Sequence, residues 1–216
     1  MAAIRVLIAE DHTLVREETR DLLAREPDIE VVGEAADGAS AVAETLRLRP
    51  DVAILDIHLP GSNGVEATRE VIERLPSTAV LILSAYDDDE YVLRSLDAGA
   101  SGYLLKTVHA ADLVDAVRRV HRGETVLDPD IARRVSSLWL RRFDTAASVD
   151  LTERERELMR LVAGGLHNKE IAQSLGVSVR TVEGRVRTLL RRMGVSSRTE
   201  AVMSAAAHGW LREGRR

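Results

Sequence analysis

A chain of 216 residues is long for one small domain and comfortable for two. Its 45% hydrophobic and 30% charged residues describe a globular protein, and a cysteine count of zero excludes disulfide staples and thiolate chemistry and fits a reducing cytosol. The net charge of -5 hides an asymmetry: residues 1–123 hold 13 Lys+Arg against 23 Asp+Glu, residues 124–147 hold 4 against 4, and residues 148–216 hold 13 against 8, so the back end is the candidate for a polyanion.

No segment approaches the roughly 18 apolar residues of a membrane span, and MAAIRVLIAEDH turns acidic too early for a secretory leader. A cytoplasmic location without a membrane partner is therefore expected. Along the front 123 residues the hydrophobic period alternates. IRVLIA (4–9) reads as an apolar strand, followed by a helix with Leu14, Val15, Leu22 and Leu23 on one face. Then come strand EVVGEA (30–35), helix Ala39–Leu48, strand DVAILD (51–56), helix Val65–Leu75, strand AVLILS (79–84), helix Glu90–Ala98, strand SGYLL (101–105) and helix Ala110–His121. Five strands interleaved with five helices predict a doubly wound α/β domain whose five-stranded parallel sheet has the flavodoxin-like order.

In such a sheet Glu10 and Asp11 follow the first strand, Asp56 ends the third, Ser84 ends the fourth and Lys106 follows the fifth, which puts all five at one edge. Three converging carboxylates repel one another unless a cation joins them, and hard oxygen donors suit Mg²⁺. Lys106 would neutralise an incoming phosphoryl group, the Ser84 hydroxyl would donate to it, and Asp56 would be the nucleophile that forms an aspartyl phosphate. Taken singly, a carboxylate at a strand end caps a helix, a hydroxyl bonds backbone and a lysine is solvated. Their joint placement is what points to a site.

With IAEDH, LDIHLPGSNGVE, LILSAYDDDEY and ASGYLLKT, residues 4–121 resemble the receiver domain of a two-component response regulator. The resemblance implies that Asp56 is the phosphoacceptor, that Glu10, Asp11, Asp56 and the His58 backbone carbonyl hold Mg²⁺, that Ser84 and Tyr103 are the switch pair, and that Lys106 is the family's lysine. It also places His58 and Tyr86 where the family tunes dephosphorylation. On the residues alone, Tyr103 is a strand tyrosine whose ring belongs to core or surface.

Residues 124–147 read as a linker. Asp128-Pro129 is a helix start, Ile131, Val135, Leu138, Trp139 and Leu140 form an apolar face, Arg133, Arg134, Arg141 and Arg142 are expected in solvent, and FDTAAS is the flexible piece. In residues 148–216, Thr152 and Glu155 form a capping box before a helix with Leu158, Leu161 and Val162 inward, ended by Gly164-Gly165. A helix over Asn168–Leu175, a turn at Gly176-Val177-Ser178 and a helix over Val179–Met193 form a helix-turn-helix. The last of these would lie in the major groove, presenting Arg180, Thr181, Arg185, Arg187, Thr188, Arg191 and Arg192, while Lys169 and Ser178 meet backbone phosphates. A solvated face is the ordinary reading of such an arginine run; its coincidence with a recognition helix favours DNA.

LTEREREL, LVAGGLHNKEIAQSLGVSVRTVEGRVRTLLRRMGV and SSRTEAV resemble the LuxR-type DNA-binding domain of the NarL/FixJ response regulators. That family commonly reads TVKxH where this chain has Thr181-Val182-Glu183-Gly184-Arg185. A base-meeting lysine is thus replaced by Glu183, which accepts from a cytosine amino group or repels unwanted sites. Gly184 offers no side chain and costs about 1 kcal/mol of helix propensity against Ala. The resemblance also makes the final helix, about Ser197–Trp210, a dimer contact through Val202, Ala205 and Ala206, and small residues at helical spacing permit close packing, within the domain as well as between copies.

The expectation is a phosphorylation-dependent DNA-binding transcription regulator, a two-component response regulator activated by a sensor histidine kinase and working as a homodimer on double-stranded DNA. It is not an enzyme beyond weak self-dephosphorylation. A phosphatase using an aspartyl phosphate is the enzyme-class alternative, but it wants a carboxylate where His58 stands. A regulator that ignores phosphate leaves the acidic pocket without a purpose. A ligand-sensing front domain has little to line an apolar pocket at 3% aromatic residues.

Overall fold

Apolar runs of four to six residues, too short for helices, become strands buried on both faces, as in VAIL (52–55) and AVLILS (79–84). The computed structural model describes residues 3–135, 151–166, 168–195 and 198–207. Its strands are β1 (Ile4–Ala9), β2 (Ile29–Ala35), β3 (Val52–Leu55), β4 (Ala79–Ser84), β5 (Gly102–Leu105) and β6 (Val126–Leu127), in the spatial order β2-β1-β3-β4-β5-β6 with every neighbouring pair parallel. The first five strands take the expected flavodoxin-like order. β6 adds an edge strand from residues read as linker: Val126 and Leu127 pair with Gly102 and Tyr103, and two residues carry no readable period.

Alternate residues of each strand face opposite layers. Val6, Ile8, Ile54 and Leu81 pack with α1 (Thr13–Leu23) and α5 (Ala110–His121), while Leu7, Leu55, Val80 and Ile82 pack with α2 (Gly38–Leu48), α3 (Gly64–Arg74) and α4 (Asp89–Asp97). Burying Leu55 or Ile82, both fully enclosed, stabilises the fold by roughly 2 kcal/mol each. One sequence expectation fails here. Leu14 is 68% exposed, because the core face of α1 runs through Val15, Thr19, Leu22 and Leu23, and Leu14 sits one residue ahead of that stripe.

The chain leaves β3 through a turn that admits no Cβ at Gly64, where an added one would lie 2.0 Å from the Asp56 carbonyl oxygen. The Gly64 N–H donates to the Ile57 carbonyl at 2.8 Å, and Asn63 caps α3 by accepting from the Glu66 N–H. Gly64→Ala is expected to destabilise the chain by roughly 3 kcal/mol, the upper end of ordinary overpacking, read as a fall in the urea midpoint at constant slope.

After β6, residues 129–135 form helix α6, with the Asp128 carboxylate accepting from the Asp130 N–H and with Ile131 and Val135 fully buried. Leu138, Trp139, Leu140 and the FDTAAS stretch lie outside the described residues. The second domain begins with α7 (Glu153–Ala163), which opens on the expected capping box: Thr152 Oγ1 accepts from the Glu155 N–H, and Glu155 Oε2 accepts from the Thr152 N–H at 2.9 Å. α8 (Asn168–Leu175) and α9 (Val179–Met193) have the bounds read from the sequence, joined through Gly176 at φ 64°, a left-handed conformation that suits glycine. α10 (Arg198–Ala207) packs on α7 and α9 and also on α4 of the first domain.

Candidate phosphoacceptor pocket and nucleic-acid interface

Backbone hydrogen bonds carry the sheet one residue past its strands and so fix the pocket. The Asp56 N–H donates to the Ala9 carbonyl, the Lys106 N–H to the Ser84 carbonyl and the Glu10 N–H to the Ala35 carbonyl, at 2.7 to 3.1 Å. The side chains of Glu10, Asp56 and Lys106 meet there. Lys106 Nζ lies 2.6 Å from Glu10 Oε2 and 2.9 Å from Asp56 Oδ2, and Glu10 and Asp56 are 3% and 4% exposed. Burial alone would lower the Lys106 pKa, but its hydrogen bonds to Glu10 and Asp56 outweigh that and raise it, so the ammonium stays charged. Among the described residues, buried Asp56 Oδ1 has no hydrogen-bond partner.

Asp11 stands beside Glu10 with its carboxylate partly exposed, and His12 joins them: His12 Nδ1 lies 2.8 Å from Asp11 Oδ1 and 3.2 Å from Glu10 Oε1. The sequence reading passed over His12, although the EDH triplet displays it. An orphaned buried carboxylate oxygen next to two more acids is a donor set that fits a hard divalent cation.

Ser84 is fully buried, and its Oγ accepts from the Tyr86 N–H at 3.1 Å. Tyr103 belongs to the core: its ring is fully buried and its hydroxyl donates to the Tyr86 carbonyl at 2.7 Å. Burial raises the Tyr103 pKa, assisted by the charges of Asp56, Asp87 and Asp88 against a bond to Ser84, so the hydroxyl keeps its proton. His58 and Tyr86 face each other with ring centroids 4.4 Å apart, and Tyr91 of α4 closes the cluster at 5.4 Å from His58 and 6.4 Å from Tyr86. Tyr91 went unread because strand ends and a helix face meet only in three dimensions.

In the second domain Lys169, Ser178, Arg180, Glu183, Arg185, Arg187, Thr188, Arg191 and Arg192 are exposed, whereas Thr181 is half-buried. Ser178 caps α9, its Oγ accepting from the Thr181 N–H at 3.1 Å, and the two hydroxyls are 2.8 Å apart. Arg192 is engaged by Glu155 of α7. Among the described residues the space around Gly184 is open, since an added Cβ would meet nothing within 4 Å, so packing against them does not demand the glycine. Arg198, which sequence reading missed, is half-buried. It donates to the Leu166 and Val162 carbonyls and to Asn168 Oδ1, and burial pushes its pKa down to about 10, still protonated at neutral pH. Of the expected dimer residues, Val202 is half-buried and Ala205 fully buried, while the Ala206 side chain is outside those described.

Among the described residues, the second domain touches the first beside α4 and beside α5, and α6 of the first domain is tied back to α4. Thr199 Oγ1 donates to the Ala100 carbonyl, just beyond α4, in a buried bond of 2.9 Å. Gly123 after α5 meets Gly165 after α7 so closely that a Cβ on Gly123 would lie 2.1 Å from the Gly165 carbonyl. Arg134 of α6, expected in solvent, instead donates from Nε to Asp89 Oδ1 at 2.8 Å, from Nη1 to Asp87 Oδ2 at 3.1 Å and from Nη2 to the Asp87 carbonyl.

A doubly wound domain with an acid and lysine pocket at its sheet edge, followed by a helix-turn-helix with an arginine-rich second helix, defines a phosphoacceptor domain joined to a DNA-binding domain. The family models agree: the response regulator receiver domain matches residues 6–118, and the luxR family of bacterial regulatory proteins matches residues 149–205. The chain belongs to the response regulators with a LuxR-type DNA-binding domain. It is 38% identical over 208 residues to the response regulator protein VraR of Staphylococcus aureus, covering 96% of this chain and 99% of that one. Among solved structures it is similar to the response regulator ChrA of a heme-sensing two-component system (33% identity, 97% of this chain and 100% of that one, TM-score 0.54). The receiver domain of the putative response regulator NarL from Mycobacterium tuberculosis is also similar (36% identity, 57% and 100%, TM-score 0.56). Among the described residues, no helix is long and apolar enough to cross a membrane.

Proposed function

We propose that Asp56 accepts a phosphoryl group from a sensor histidine kinase and that the phosphorylated chain binds double-stranded DNA as a homodimer through α9. The observation that carries this reading is Lys106 held between buried Glu10 and buried Asp56, next to an Asp56 oxygen with no partner. A carboxylate oxygen of Asp56 attacks phosphorus as the bond from phosphorus to the kinase's imidazole nitrogen breaks, and the electron pair of that bond returns to the nitrogen. Glu10, Asp11, Asp56 and the His58 carbonyl would hold Mg²⁺, which when bound shields the carboxylates from the incoming phosphoryl charge. Lys106 pairs with the phosphoryl oxygens, and Ser84 turns its hydroxyl hydrogen toward them. Tyr103, bonded to the Tyr86 carbonyl, follows the movement of that loop as the second member of the switch. Slow hydrolysis of the phosphoryl group is the turnover expected of such a site.

On DNA, Arg180, Arg185, Arg187, Thr188, Arg191 and Arg192 supply phosphate and base-edge contacts with Lys169, Ser178 and Thr181 at the rim, and Glu183 reads a cytosine amino group. Arg191→Ala is expected to weaken binding to all sequences alike and to lower the salt slope by about one, whereas Glu183→Ala should relax preference at one base pair by roughly 1–3 kcal/mol. Anisotropy titrations over a salt series on matched and mismatched duplexes separate the two. The homodimer uses Val202, Ala205 and Ala206 of α10, which must first leave α4. Footprinting on genomic fragments with and without acetyl phosphate tests the whole reading. Absence of protection in both conditions sinks the DNA assignment, and equal protection in both sinks the control by phosphate.

A further inference from the structure

Residues 85–88 join β4 to α4, and all four are exposed. Such a loop has little packing of its own, so its position depends on the bonds that reach it. On the pocket side, Ser84 Oγ accepts from the Tyr86 N–H, the Tyr103 hydroxyl donates to the Tyr86 carbonyl, and the Tyr86 ring packs on His58, two residues after Asp56. On the other side one guanidinium takes hold: Arg134 binds both carboxylates of Asp87 and Asp89 and the Asp87 carbonyl. Arg134 lies 45 and 47 residues further along the chain than the acids it grips, on the helix that leads out of the receiver. A guanidinium presents its donors in a rigid fork, so engaging two acceptors on the loop and a third on the first residue of α4 restrains both the loop's position and its orientation.

We propose that Arg134 is a positioning residue for the phosphoacceptor site: by holding the loop that carries Tyr86 against His58, it sets how long the phosphoryl group on Asp56 survives. The inference rests on Asp56 being the phosphoacceptor. Hydrolysis needs water at phosphorus, opposite the bond to Asp56. The water oxygen forms the new bond, the bond from phosphorus to the Asp56 oxygen breaks, the carboxylate is regenerated, and phosphate leaves with the water's protons shared between it and solvent. His58 follows Asp56 by two residues and Tyr86 follows Ser84 by two, so their paired rings stand at the same sheet edge, and a loop released by Arg134 lets them part. Coupling of this kind is reciprocal, so a phosphoryl group that tightens the loop also tightens the loop's grip on α6.

The full-length chain, phosphorylated with acetyl phosphate and Mg²⁺ and then desalted, reports the decay of the phosphoprotein by intact mass. Arg134→Gln is expected to shorten the lifetime roughly threefold to tenfold while the urea midpoint hardly moves. Arg134→Lys should recover part of the lifetime, since an ammonium keeps the charge and loses the fork. Asp87→Asn should shorten it as well, and the double variant Arg134→Gln with Asp87→Asn should decay no faster than the faster single one. A lifetime for Arg134→Gln within twofold of the parent overturns the proposal, as does failure of Arg134→Lys to differ from Arg134→Gln. A parent chain that takes up no phosphoryl group overturns the assignment of Asp56 instead.

Discussion

Asp56→Asn is expected to abolish uptake of a phosphoryl group from acetyl phosphate in the presence of Mg²⁺, leaving the intact mass unchanged where the parent gains one phosphoryl group. The amide keeps the shape and most of the hydrogen bonding of the carboxylate but offers a far poorer nucleophile, so the effect is a loss and not a slowing. The change costs little stability: the amide oxygen still accepts from Lys106 Nζ, and one of two buried negative charges beside that lysine disappears. Dimerisation and DNA affinity should then stop responding to acetyl phosphate. Labelling of the variant at the parental level would move the acceptor to another residue, with Asp11 the first to examine.

Lys106→Ala is expected to be costly to the fold as well as to the chemistry. It leaves Glu10 and Asp56, with side chains 4% and 5% exposed, facing one another without a cation, the situation in which removal of one buried charge destabilises by roughly 3 kcal/mol. Mg²⁺ should restore part of the loss by binding the folded form. Urea midpoints with and without the ion decide this. A deficit that the ion leaves untouched would mean that the lysine serves by packing its methylenes. In the parent, the raised pKa of Lys106 gives a stabilisation present below its unfolded value of 10.5 and lost as pH climbs through the higher folded value.

Much of the pocket was legible in the sequence because a parallel sheet collects its strand ends on one edge. An apolar run such as VAIL followed by Asp56 is enough to place the carboxylate once the fold class is known. α8 and α9 were equally legible, since their period, their cap at Ser178 and the glycine of their turn are all local signals. β6 was not: two residues have no period, and their strand character comes from pairing with Gly102 and Tyr103. Leu14 misled because hydrophobicity alone could not separate the α1 stripe from its neighbour. Arg134 was read as solvated because nothing within its own helix reveals two acids 45 and 47 residues away. Thr199 and Ala100 are 99 residues apart and announce themselves by no motif, and the ring cluster of His58, Tyr86 and Tyr91 draws on a loop, a second loop and a helix. Local signals were readable, whereas the contacts that join one half of the chain to the other are made by tertiary structure.

α4 is held near both of its ends by segments that follow the receiver. The helix is about 13 Å long for nine residues. Arg134 grips its leading end, and the carbonyl just past its trailing end accepts from Thr199. A beam fastened at both ends cannot tilt without moving its two fastenings in opposite senses, and here both fastenings belong to segments C-terminal to the receiver. A rocking of about 10° would shift each end by roughly 1 Å, comparable to the helix shifts by which packed proteins change state. Such a rocking would reach the tether at Arg134 and the last helix at Thr199 at the same time, as a twist and not as a push.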